Sequence, residues 1–206
     1  MKILKFAGLL LSILIINSCT QDYKDEVEDE STVIGKDGED PPYYIHNLYL
    51  RFHDASGNDL VKGIGIDKTS PNITIGGVAA GSNVNPDLYT LYVEGIPKLI
   101  ESLYFLSGEA FEWLYPDIAN GNYDNLRFRF ISPYFGSFTE KIIFKLKCPY
   151  LFGDDTTHEI ITWWKPSTKA NGCTFCYRIE LADKEFTPMD EEKTYFSIAT
   201  VILEGK

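Results

Sequence analysis

The chain predicts an all-β protein, an antiparallel β-sandwich of seven to ten strands with room for one short helix. Apolar residues recur at every second position in several separate segments, and turn-forming residues return about every 10 to 15 positions. No strand-like segment alternates with a long amphipathic helix, which would have pointed to a parallel α/β sheet. Hydrophobic residues are 44% of the 206 and aromatics 14%, so the folded part can build a real core.

Taken in order, the chain opens with Lys2 and Lys5, an apolar run from Phe6 to Ile16, then Asn17, Ser18 and Cys19. That is the charged and apolar layout of a secretory signal, and the run is shorter than the roughly 20 residues a spanning helix needs. Ile16-Asn17-Ser18-Cys19 resembles a bacterial lipobox. The resemblance implies cleavage before Cys19, a signal peptide over 1–18, and diacylglycerol and a fatty acyl chain such as palmitate on Cys19. Its partner would then be the membrane, held through that lipid.

Residues 19–42 carry nine acids and two lysines after Cys19, with a Gly, Asp and Pro-rich end. So few apolar groups cannot order the segment, which is expected to be an extended, self-repelling tether. Lys24-Asp25-Glu26, close behind the cysteine, also resembles the export signal of surface-exposed lipoproteins of the Bacteroidetes. That resemblance implies the outer membrane, facing the cell exterior.

The whole chain has 19 basic and 30 acidic residues, net -11; without Lys2 and Lys5 it is 17 against 30, or -13. This balance argues against nucleic acid as a partner and leaves neutral ligands open.

Residues 43–206 form the expected sandwich domain. Leu48, Leu50 and Phe52 alternate with polar neighbours, as do Leu126, Phe128 and Phe130, then Ile142, Phe144, Leu146 and Cys148. Each reads as a half-buried strand. Asp54 to Asp59 supplies turn chemistry, with Gly57 or Asn58 free for positive φ, and predicts a hairpin into Leu60–Ile66. Leu99 to Tyr115 fits one short helix or an irregular crossover. Phe175, Tyr177, Ile179 and Leu181 form a further alternating series, and Tyr195 to Leu203, apolar on both faces, suits a central strand. The whole resembles immunoglobulin-like or transthyretin-like sandwiches.

Apart from Cys19, the cysteines are Cys148, Cys173 and Cys176. Alternation places Cys148 and Cys173 inward and Cys176 outward, so Cys148 and Cys173 are the expected core pair, disulfide-bonded or packed. Cys173-Thr174-Phe175-Cys176 spells C-x-x-C, but it runs into a strand rather than opening a helix, and no second pair completes a zinc site. His46 and His53 lie an odd number of residues apart on one strand and face opposite ways, which spoils joint metal ligation. Asp54–Asp59 lacks the spacing of an EF-hand calcium loop. G-x-S-x-G is absent, so no catalytic, cofactor or metal residue is assigned and no enzyme is expected.

Asn72-Ile73-Thr74 spells an N-glycosylation acceptor that a bacterium of this kind would leave unused. Asp155-Thr156-Thr157 is similar to sites that Bacteroidetes O-glycosylate, which would place a glycan on Thr156. Trp163-Trp164, with Trp113 and Tyr115, offers flat apolar faces suited to a glycan platform, although adjacent strand positions bury at least one of the tryptophan pair. The reading is a tethered binding or accessory lipoprotein that captures a glycan or a protein. The alternative is a fimbrial or assembly lipoprotein whose last strand completes a neighbour's sheet. A small two-carboxylate hydrolase stands third.

Overall fold

The structure is a computed structural model that describes residues 43–69, 73–75, 78–95, 102–116, 122–132, 138–168, 172–189 and 196–205. The signal, the lipobox with Cys19, the tether, Asn72 and Leu99 lie outside the described residues. The chain is an all-β sandwich of two sheets. One sheet contains β1 (Ile45–Asp54), β2 (Ile73–Ile75), β3 (Val78–Asn83), β5 (Tyr104–Leu106), β6 (Asn125–Ile131) and β11 (Ser197–Leu203), in the order β11-β1-β6-β5-β3-β2. The other contains β4 (Thr90–Val93), β7 (Lys141–Lys147), β8 (His158–Pro166), β9 (Thr174–Leu181) and β10 (Lys184–Phe186), in the order β10-β9-β8-β7-β4. Among the described residues, two short α-helices, α1 (Gly108–Leu114) and α2 (Pro149–Phe152), and a 3-10 turn at Pro86–Leu88 complete it.

The expected alternation builds the core. Leu48 and Leu50 sit opposite Phe128 and Leu126 across the β1/β6 register, and with Phe52 and Phe130 they form one core with Ile142, Phe144 and Leu146 of the other sheet, all nearly inaccessible to solvent. Burying such side chains contributes about 1.5–3 kcal/mol each before entropy is counted.

Four local expectations change. β11 pairs parallel with β1, Leu48 opposite Ser197, and closes an edge of its sheet instead of lying centrally. Its two-faced apolarity has another source. Ala199 and Val201 fill the core between the sheets, while Phe196 and Ile198 pack outward under α1 with Phe111 and Tyr49.

The turn after β1 forms as expected, with Gly57 at φ 84° and Asp54 capping the amides of Ser56 and Asn58. Leu60–Ile66, however, is no strand. After one bridge between His53 and Asp59, the Asp59 carboxylate accepts the amides of Val61 and Lys62 and bends the backbone away.

β9 carries a bulge. Trp163 pairs with Arg178 but Trp164 pairs with Cys176, so Tyr177 is the extra residue and along β9 the inward phase moves from even to odd positions. Cys176 is therefore fully buried in the core and Tyr177 is exposed, the reverse of simple alternation.

The expected Cys148 and Cys173 pair does not form. Cys148 follows β7 near His158, whereas the carbonyl of Cys173 accepts from Ser167 at the far end of β8. Roughly 25–30 Å of strand separates them, against the roughly 7 Å a disulfide spans. Cys148 and Cys176 are buried thiols, whereas Cys173 is disulfide-bonded, though to neither of them.

Candidate binding face

The outer face of the six-stranded sheet is built from odd-numbered residues of β1 and β6. Tyr49 sits opposite Arg127 and Asn47 opposite Arg129, with Tyr104 of β5 opposite Arg127 on its other side. The guanidinium of Arg127 lies over the Tyr104 ring, 4.6 Å from its centre, and that of Arg51 lies 5.6 Å from the centre of Phe111. Burial holds Arg129 below the ordinary guanidinium pKa, and the like charge of Arg127 pushes the same way. Only Tyr49, Tyr104 and Tyr43 oppose those two effects.

Among the described residues, the ion pairs of Arg and Lys lie elsewhere. Lys145 bridges Glu94 and Glu159 at 3.0 Å each, and Arg178 meets Glu180 and Glu185, all on the five-stranded sheet. Among the described residues, neither Arg127 nor Arg129 forms an ion pair with a carboxylate. Three buried polar atoms of the same face, Arg127 Nε, Asn47 Oδ1 and Asn125 Oδ1, also find no hydrogen-bond partner. Buried polar atoms are satisfied in the great majority of cases, so three on one patch need an explanation.

One end of this face is covered by α1. Ser107 caps the helix by accepting from Ala110, and Asp124 accepts from Gly108. Gly108 must be glycine, because a Cβ there would lie 2.7 Å from the backbone carbon of Asn122 and 2.8 Å from the nitrogen of Tyr123. Phe111 points down onto Tyr49 and Phe196, and Trp113 points out, 53% exposed.

The four residues expected to form a glycan platform are not brought together. Tyr115 is packed among Tyr49, Phe111 and Phe196, and burial raises its hydroxyl pKa. Trp164 is 1% exposed and donates to Thr162 Oγ1, which in turn donates to the carbonyl of Ile142. Trp163 is on the outer face of the other sheet, with Arg178 4.3 Å and Lys141 5.5 Å from its ring centre. Cations thus occupy the faces a sugar would need. Trp113 alone of the four stands open, on the opposite side of the sandwich from Trp163.

Other sequence candidates have local explanations. His46 and His53 are buried on opposite faces of β1, the first among Phe130, Phe138 and Trp164, the second against Tyr123. Among the described residues, no cluster of three His, Cys, Asp or Glu has metal-holding geometry. Thr156 is exposed in a loop, but its hydroxyl donates to Asp154 and contacts His158 Nε2. Asp59 and Asp124 form a carboxylate pairing the sequence did not suggest. Their oxygens accept the amides of Val61, Lys62, Asp124 and Gly108, which assigns the pair to holding two turns.

Alternation did reveal that Arg127 and Arg129 face away from the core. That they stand without a carboxylate partner among the described residues depends on the β1/β6/β5 register, which no local pattern carries. These features define an all-β sandwich with a basic, tyrosine-rich outer face. No family model, curated protein or solved structure matches the chain.

Proposed function

We propose that this chain is a lipid-tethered lipoprotein of the bacterial cell surface that binds a ligand and does not transform it. Signal, lipobox and acidic leader support the address, and a rigid sandwich on a tether suits capture rather than conversion. The observation that carries the binding reading is the Arg127 and Arg129 pair, partly buried without a carboxylate partner among the described residues, in a chain of net charge -11. Burying a charge without a partner costs stability, and such costs concentrate where a ligand repays them.

Two measurements test this. Replacing Cys19 with Ala should move the protein from the membrane fraction to the soluble one, and added protease should remove the native form from intact cells. Ligand capture is then read from a glycan array and a protein pull-down, with Arg129→Gln as the variant that should lose the signal.

One feature favours the assembly alternative. β11 lies at a sheet edge with Ile202 47% exposed. Heat-resistant ladders of high mass on a gel would support it over capture.

A further inference from the structure

We infer that the Arg127 and Arg129 face takes the carboxylate of an acidic sugar. This rests on the binding reading and names its ligand class. Arg127 and Arg129 are two residues apart on one face of β6, about 7 Å between Cα atoms, so both guanidinium forks can reach one carboxylate. Arg127 is already oriented by its contact with Tyr104, which lowers the entropic cost of engaging a ligand.

A carboxylate alone would answer only half of the site. Arg127 Nε is a donor in need of an acceptor, but Asn47 Oδ1, on the residue opposite Arg129, is an acceptor in need of a donor. The ligand must therefore present both an anion and hydroxyl groups, the combination found in a hexuronic acid. Tyr43, partly exposed beside Arg129, adds an aromatic surface of the kind that packs on sugar rings. The excess negative charge of the rest of the chain opposes long polyanions. A short glycan with one acidic residue fits best.

The experiment is calorimetric titration of the mature chain in detergent with three probes. They are a disaccharide ending in one hexuronic acid, its neutral counterpart, and a short acidic peptide. The uronate should bind at least about tenfold more tightly than the neutral sugar. Arg129→Gln and Arg127→Lys should each lose about tenfold or more, the second because lysine keeps the charge but not the fork. Trp163→Phe, on the opposite side of the sandwich, should bind as wild type. Arg129→Gln removes an unpaired charge, so its melting temperature should be unchanged or higher, and loss of binding then cannot come from misfolding. Equal binding of neutral and acidic sugars overturns this inference and leaves the capture reading standing. Tighter binding of the peptide than of the uronate does the same. Retained uronate binding in folded Arg129→Gln removes the site. No binding to any probe overturns this inference, and the glycan array and pull-down then decide the capture reading by themselves.

Discussion

His46 stays neutral in the fold because burial among Phe130, Phe138 and Trp164 disfavours its charged form more than the bond from its Nε2 to the Thr139 carbonyl favours it. Its pKa falls from 6.5 to about 4. Between those values the unfolded chain binds a proton that the folded chain refuses, so stability is full above pH 6.5 and is lost as pH falls toward 4. The gap is worth roughly 3 kcal/mol. A His46→Phe variant should lose about 1 kcal/mol near neutral pH with the Thr139 bond, yet show a shallower fall of the urea midpoint on acidification. Thr162 is a second such residue. Thr162→Val strands the Trp164 indole donor in the core and should cost about 1–3 kcal/mol by chemical denaturation.

At the scale of elements, the bulge in β9 decides which side chains reach the core. It carries Cys176 inward, where burial pushes its thiol up to about 12. In the native protein Cys176 and Cys148 should therefore stay unreactive toward an aromatic disulfide reagent and react only on unfolding. Deleting Tyr177 would join Cys176 and Arg178 without changing the face of either, and the melting temperature should drop by only about 2–8 °C. Deleting Ile179 instead reverses the inward phase on one side and should abolish folding, as a far-UV spectrum would show. Gly108→Ala offers a matching test at α1, where contact with the Asn122 and Tyr123 backbone should cost about 1–3 kcal/mol of stability.

The whole molecule is closed by its first and last described strands. The parallel pairing of β1 with β11 joins segments separated by roughly 150 residues, and such long-range pairing makes folding slow. Removing residues 197–206 would strip Ala199 and Val201 from the core and uncover β1 along its length. The truncated chain should be sensitive to protease and fail to show a cooperative melt, whereas loss of only Gly205 and Lys206 should be tolerated.

Alternation alone was enough to read the sandwich, because a half-buried strand writes its core face into every second residue. It put Leu48, Leu126 and Phe144 inward correctly. The same rule failed at Cys176, since a bulge changes phase through a pairing partner that the local sequence does not name. It also failed at Leu60–Ile66, where the Asp59 carboxylate claimed the amides a second strand would have used. Trp163 and Trp164 were separable as one in and one out, but not as one buried and one covered by Lys141 and Arg178. Composition and the N-terminal pattern determined the expected address and the charge balance without any structure. The isolation of Arg127 and Arg129 from every described carboxylate was decided only in three dimensions, because whether a charge finds a partner depends on which strands lie beside it.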